Sequence, residues 1–535
     1  MAIRTSGERA GKRHQQVRKY NTYYRTLVER HCCIKPGSTG EIAAWGVADR
    51  GRCPLTWEDG TYLGSVRPSS KGIYEVRARH TVAAVSARFD EPNLVSCAGL
   101  VPVLRLAERA GLHAAAQQRV RLAGCVGSAA ANAGAKITSV VAGMVAGADS
   151  IDDLEVIRHG ALPELFGGIR APSTLGTFLR GFSWGNVRQL DTVAIETLIG
   201  LSRNAPLLPG AGSYAFLDVD STINRVYGHA KQGADYGYTR VRGLHPLLAT
   251  VSTPIAAPVI AGMRLRRGSA PSAHGAASFV AEAISTARQM GVTGVLLARM
   301  DSAFDNHAVV ATCIQAGVRF SITARQTRPI RAAMGAIGEH AWVPIAYPHA
   351  IYDEASGQWI SDAQIAEIAY TAYPSRRKSE QITLRLIVRR VKDKNVAVDQ
   401  GELFTTWRYH AFITDSTLEL VQAEKQHRQH ATIEQVNADL KDSALAHMPS
   451  GSFAANAAWL ALATIAYNLT RAAGCLASLF HGKARTGTLR RHLITVPARI
   501  ARRSRRITLR LPLNWPHRDA FGDLFTATHA PPRPA

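Results

Sequence analysis

Apolar positions along the chain change their spacing several times, and each change marks a different kind of structure. Residues 1 to 85 carry no repeating apolar face and are rich in turn residues, as in Lys35-Pro36-Gly37 and Pro68-Ser69-Ser70. They read as a basic extension: either a disordered arm or translated sequence upstream of the true start. From about 86 to 205 the spacing is helical, with Leu100, Val103, Leu104, Leu106 and Ala107 as one example. Asp149-Ser150-Ile151-Asp152-Asp153-Leu154 reads as a helix start with acids in its first turn. In Pro172-Ser173-Thr174-Leu175-Gly176-Thr177-Phe178-Leu179-Arg180, Ser173 is a natural N-cap and Gly181 a stop. With Arg170, Arg180 and Arg188 around it, this short helix suits a recognition helix reading DNA. It serves equally as an ordinary packing helix.

From 206 to 327 the pattern alternates between strands and helices. Tyr214 to Asp220 and Val292 to Ala298 are apolar runs followed by acids, and Leu247 to Met263 is rich in Val, Ile, Thr and Ala. Ala276 to Met290 and Ala308 to Gly317 are helical, and Arg319 to Thr323 is a strand. A mixed sheet covered by helices is the predicted core. Between 328 and 400 the rhythm breaks into strands at Trp342 to Tyr347 and Gln381 to Val391, with a polar turn at Glu354-Ala355-Ser356-Gly357. The core resumes over 401 to 482 with a strand at Trp407 to Ile413, one long amphipathic helix from about Leu418 to Leu445, and an apolar helix from Ala454.

Two apolar stretches resemble membrane spans. Leu122 to Ala148 carries Lys136, and Ala454 to Phe480 carries Asn456, Asn468 and Arg471, so both are expected as buried helices and no membrane is expected as partner. The start of the chain is polar and basic rather than a signal peptide. The 7 cysteines are odd in number and contain no Cys-x-x-Cys, which points to a reducing, cytoplasmic setting. His31, Cys32, Cys33 and Cys53 cluster without a paired ligand set and do not make a zinc knuckle.

The net charge is +24, the excess that a polyanion-binding surface needs. The segment from 483 to 535 concentrates it in Arg490, Arg491, Arg499, Arg502, Arg503, Arg505, Arg506 and Arg510, with no acid between Lys483 and Arg518. Apolar residues such as Leu493, Ile494, Ile500 and Leu509 are interleaved, so part of it packs. Arg502, Arg503, Arg505 and Arg506 are the candidate phosphate track.

Candidate chemistry lies at strand ends. Asp218 and Asp220 close the first apolar strand and share one side of it. Asp301 follows the second, and Glu434 lies on the long helix. A buried acid is costly without a partner or a metal, and carboxylates converging from rigid elements are what hard divalent ions take. Such ions, in pairs about 3.5–4 Å apart, cut phosphodiesters without a protein nucleophile.

Three segments, Leu217-Asp218-Val219-Asp220-Ser221-Thr222, Arg299-Met300-Asp301-Ser302-Ala303-Phe304 and Ile433-Glu434-Gln435-Val436-Asn437-Ala438-Asp439-Leu440-Lys441, together resemble the DDE transposases of bacterial insertion sequences. Within them the chain looks like insertion-sequence family thirteen-eighty, whose members carry a β-strand insertion before the catalytic Glu. The resemblance runs from about Asp90 to the end. It implies an RNase H-like α/β core interrupted by that insertion and preceded by a helical DNA-binding region. Asp220, chosen over Asp218 by its Asp-x-Thr setting, would hold two Mg²⁺ or Mn²⁺ ions together with Asp301 and Glu434.

Lys441 would steady a phosphate, completing the second half of the signature Tyr-x2-Arg-x3-Glu-x6-Lys. His427 and His430 occupy its Tyr and Arg positions, where they would contact DNA. They also share a helix face with Glu434, a conceivable zinc set that the resemblance makes unnecessary. The partners implied are the element's terminal inverted repeats and target DNA, handled by a homodimer in the bacterial nucleoid. The rivals are a nuclease without strand transfer and an inactive, DNA-binding repressor.

Overall fold

The acids predicted at strand ends sit in one large sheet. The computed structural model describes residues 84–531 apart from 123–129, 229, 238 and 393–406. The reading of 1 to 85 as a basic extension therefore falls almost wholly outside the described residues.

The described chain begins with a short strand, β1 (Leu94–Val95), and a helical region that includes α1 (Leu100–Arg109), α2 (Leu112–Arg119), α3 (Ala133–Ala146), α4 (Pro172–Arg180) and α5 (Trp184–Asn204). The acids at 152–155 open a 3₁₀ turn, Asp152–Ile157, rather than an α-helix. Helix α3 is buried almost throughout, and its Lys136 places Nζ 5.2 Å from the centre of the Phe178 ring. A cation over an aromatic face keeps its charge partly compensated. In α4 the N-cap is Ala171, not Ser173. Pro172 takes the first helical position, where its fixed φ suits a helix and its missing N–H needs no acceptor.

The core follows as β2 (Tyr214–Ser221), β3 (Leu247–Thr253), β4 (Ala256–Arg264), α6 (Ala276–Gln289), β5 (Val295–Met300), α7 (His307–Gln315) and β6 (Arg319–Thr323). All seven residues of β3 are buried, as expected of a strand covered on both faces. Next come β7 (Val343–Pro344), β8 (Ala363–Ala372), β9 (Ile382–Lys392) and β10 (Trp407–Thr414). Together these strands form a nine-stranded sheet in the order β7-β8-β9-β10-β6-β5-β2-β3-β4. Strands β2, β5 and β6 run parallel, and every other neighbour is antiparallel.

Strands β7, β8 and β9 thus lie in the same sheet as β6, beyond β10. Strand β8 was not foreseen, because its sequence Ala-Gln-Ile-Ala-Glu-Ile-Ala-Tyr-Thr-Ala is too rich in alanine to advertise a strand. The expected strand from Trp342 to Tyr347 shrinks to two residues at the sheet edge, where Pro344 is tolerated. The polar turn at 354–357 is the tip of a separate small hairpin, Ile351–Asp353 with Gln358–Ile360.

The long helix expected from Leu418 to Leu445 is two helices, α8 (Leu420–Arg428) and α9 (Thr432–Lys441), joined by a 3₁₀ turn over Gln429–Ala431. His430, within that 3₁₀ turn, reaches into the sheet to bond Asp218. The apolar helix α10 (Phe453–Ala477) is long and apolar enough to cross a membrane, yet 89% of its most apolar window is buried among α3, α5, β4 and other elements. Each polar residue in it has work inside the protein. Asn456 bonds the backbone of Ser450, and Asn468 bonds both the N–H and the C=O of Ile260 on edge strand β4. Arg471 donates to the carbonyls of Gly482 and Ala484.

The chain ends in α11 (Leu479–Lys483), the hairpin β11 (Ala498–Arg503) and β12 (Arg506–Arg510), and α12 (Arg518–His529). Ser504 and Arg505 both have positive φ, the mirror-image turn that suits a two-residue hairpin loop. Strand β11 also pairs with β1. Helix α12 packs on α1 and α10, and Arg109 of α1 donates to the carbonyls of Ala527, Thr528 and Ala530 at its end. The expected basic tail is therefore knitted into the fold.

Candidate active site

Parallel pairing of β2 with β5 explains why two acids far apart in sequence converge. Asp218 lies beside Arg299 and Val219 beside Met300, so Asp220 and Asp301 leave the same end of adjacent strands. Asp220 accepts from the Ser221 N–H at 2.6 Å and from Asn437 Nδ2 of α9 at 2.9 Å. Asp301 caps the 3₁₀ turn Ser302–Phe304 by accepting from the Ala303 N–H at 3.0 Å. Glu434 sits on the exposed face of α9, one helical turn before Asn437.

The electrostatics mark a crowded carboxylate cluster. Burial raises the Asp220 carboxyl to about 6, and the charges of Asp301 and Glu434 push the same way. The Ser221 N–H and His430 oppose the rise. Asp301 is raised too, again chiefly by burial, against the pull of the Ala303 N–H, His430 and Arg325. A buried Asp220 raised by two neighbouring carboxylates suits a hard divalent cation, which would relieve both the burial cost and the repulsion at that residue. Lys441 Nζ donates to Thr222 Oγ1 at 2.6 Å, joining the far end of α9 to the residue two beyond Asp220. Burial lowers its pKa, while Asp220 acts to raise it.

A family model described as transposase DDE domain group 1 matches residues 78–530. The chain belongs to that family. None of the curated proteins compared with it matches.

In this transposase the second acid of the Asp218–Asp220 pair of positions faces the cluster, and the first does not. Asp218 is wholly buried and takes two bonds from Arg299, Nε to Oδ1 at 2.6 Å and Nη2 to Oδ2 at 2.7 Å. His430 Nδ1 lies 3.0 Å from the same Oδ1. Burial alone would raise the Asp218 carboxyl; Arg299 and His430 hold it below its ordinary value. Arg299 also lies over the Phe216 ring, 4.0 Å from its centre, and donates to the Gln426 carbonyl at the end of α8.

His427, expected at the DNA, has both ring nitrogens engaged within the fold. Its ring stacks on Phe412 at 4.0 Å, with Nδ1 bonded to Ser321 Oγ and Nε2 to Thr323 Oγ1. Burial, with nearby His430, Arg389 and Arg299, lowers its pKa to about 3, so it is neutral at physiological pH. It pins α8 to the sheet.

Of the other predicted DNA-binding residues, Ser173 and Arg180 lie on the exposed face of α4, opposite buried Leu175, Phe178 and Leu179. Arg170 and Thr174 are half-buried. Arg502, Arg503, Arg505 and Arg506 are exposed on the C-terminal hairpin. The tail's lack of local acids misled in one respect: Arg502 pairs with Glu164 and Arg499 with Glu91, acids brought from the N-terminal region by the fold.

Sequence reasoning missed Asn437 and Arg299. Both were findable: Asn437 lies one helical turn beyond Glu434, and Arg299 stands two before Asp301 just as Asp218 stands two before Asp220.

Proposed function

We propose that this protein cleaves DNA at the ends of an insertion sequence and joins the freed ends to target DNA. The observation that carries the reading is the convergence of Asp220 and Asp301 from adjacent parallel strands, with Glu434 on the facing helix. The order of the five strands at one side of the sheet, β4-β3-β2-β5-β6, supports an RNase H-like core. The strands added beyond β6 support the resemblance to insertion-sequence family thirteen-eighty.

In this proposal Asp220, Asp301 and Glu434 hold two Mg²⁺ or Mn²⁺ ions. When bound, such ions activate the attacking oxygen and stabilise the leaving one. Asn437 and the Ser221 N–H each donate one bond to the Asp220 carboxylate and fix its orientation, leaving lone pairs for the ions. Lys441, steadied by Thr222, takes a phosphate oxygen. Asp218 occupies Nδ1 of His430, which leaves Nε2 for a second phosphate oxygen. Arg170, Ser173, Thr174 and Arg180 meet the terminal inverted repeats. Arg503, Arg505 and Arg506 bind phosphates without reading sequence. A homodimer brings the two ends together.

Asp220→Asn, Asp301→Asn and Glu434→Gln are expected each to abolish cleavage and leave binding to the element ends within a few-fold. A plasmid assay separates the outcomes: joined products establish transposition, cuts without joining leave a nuclease, and binding alone leaves a repressor. Near wild-type cleavage by any of the three variants removes that residue from the set.

A further inference from the structure

Three histidines from separate C-terminal elements meet on the side of α10 where α11, the turn at 490–494 and the start of α12 come together. His481 belongs to α11, His492 to a π-helical turn over Arg490–Ile494, and His517 immediately precedes α12. One ring nitrogen from each lies within 4.8 Å of the other two. His481 Nε2 is 3.3 Å from His492 Nδ1, and the His492 and His517 rings stack with centroids 3.5 Å apart. A zinc ion with Zn–N bonds of about 2.0–2.1 Å and tetrahedral angles separates its nitrogens by about 3.3 Å, which is the spacing the first two histidines already have.

The surroundings suit a ligand set. Ser478 Oγ sits 2.8 Å from His481 Nδ1, so the hydroxyl fixes that ring and directs Nε2 at its neighbours. A metal-bound histidine ordinarily has its other nitrogen held in this way. Burial, then the neighbouring rings, keep the proton affinity of His481 low, and His492 is lowered likewise by burial, His517 and Arg491. Neutral imidazole is the form that binds metal. Trp515 Nε1 donates to the His492 carbonyl and holds the segment before His517 against the turn. Closing the set takes a rotation of His517 out of its stack, at the half-buried start of α12.

We propose that His481, His492 and His517 bind one zinc-type ion that is separate from the carboxylate cluster and clips the C-terminal segment to the end of α10. An all-imidazole set favours zinc and its late transition-metal neighbours over Mg²⁺, which wants oxygen. Solvent supplies the fourth position. The clip would join elements 36 residues apart, from His481 to His517, and so hold α12 in place.

The test uses the full chain, stripped with chelator and re-loaded with Zn²⁺, with Co²⁺ as spectroscopic probe. One equivalent of Zn²⁺ is expected to survive gel filtration, resist excess Mg²⁺, and raise the thermal midpoint by roughly 2 °C or more. Co²⁺ should show the intense visible bands of a tetrahedral site. His492→Asn and His517→Asn should lower Zn²⁺ affinity more than the roughly 10–100-fold expected of a supporting change such as Ser478→Ala. Asp220→Asn should bind Zn²⁺ as wild type does. If the Asn variants fail to fold, His517→Cys decides: it should keep the ion and add a thiolate-to-Co²⁺ charge-transfer band. No stoichiometric Zn²⁺ in the wild type, undiminished Zn²⁺ in the folded histidine variants, or its loss in Asp220→Asn overturns the proposal.

Discussion

Arg299 grips Asp218 through two hydrogen bonds between adjacent parallel strands, with both side chains almost fully out of water. A carboxylate two residues from Asp220 is thereby committed to a structural ion pair. Removing one member of such a pair strands the other charge in the core and costs roughly 3–5 kcal/mol. Asp218→Asn is therefore expected to lower stability by about that much, read from denaturant midpoints, while Asp220→Asn costs none. Equal stability of the two variants would show that Arg299 finds another partner.

Asp220 gives a pH signature in the absence of divalent ions. Its carboxyl titrates at about 6 when folded against an ordinary 3.8. Between those values the folded protein holds a proton that the unfolded chain has released, so stability falls as pH rises through the window. Asp220→Asn should flatten that part of the stability–pH curve and be more stable than wild type above it. Mg²⁺ should stabilise wild type at about pH 8 and lose this effect at about pH 4, because the ligand must be deprotonated. Thermal melts across pH, with and without Mg²⁺, check both statements.

Asn437 holds Asp220 from the helix that carries Glu434. Asn437→Ala should lower cleavage roughly 10–100-fold, the usual cost of losing a residue that orients a metal ligand, with end binding unchanged. Cleavage rates at saturating Mg²⁺ measure it. A full-rate variant would mean that the Ser221 N–H suffices.

The C-terminal hairpin predicts a selective salt effect. Replacing Arg503, Arg505 and Arg506 with Gln should reduce the slope of log K against log salt by up to about 0.9 for each phosphate no longer neutralised, without changing which sequence is preferred. Arg502→Gln should alter the slope less, since Glu164 already neutralises that charge. An unchanged slope in the triple variant would make the hairpin's charge incidental to DNA binding.

Strand-end acids were legible because an apolar strand that stops at an Asp leaves few readings, and parallel pairing then brings two such ends together. The buried helices α3 and α10 were legible for a similar reason: isolated polar residues in long apolar runs need internal partners. What stayed hidden depends on register and on tertiary neighbours. Whether Asp218 or Asp220 faces Arg299 is decided by the offset between β2 and β5. The 3₁₀ turn at 429–431 holds His430, whose partner Asp218 lies 212 residues away. His427 sits on a helix that reads as solvated, until β6 and β10 supply Ser321, Thr323 and Phe412. The three C-terminal histidines have no motif spacing, because three separate elements deliver them.

The continuity of the sheet also sets a mechanical property. Strand β7 lies six hydrogen-bonded steps from β2, which at about 4.8 Å a step places it roughly 29 Å from the strand carrying Asp220. With about 20–25° of twist at each step, the outer edge is turned by roughly 120–150° from the strand that bears the acids. Strands β7, β8 and β9 therefore form a stiff, twisted outrigger, not a hinged flap. Whatever grips their outer edge is indexed to the carboxylates by an unbroken lattice of backbone hydrogen bonds.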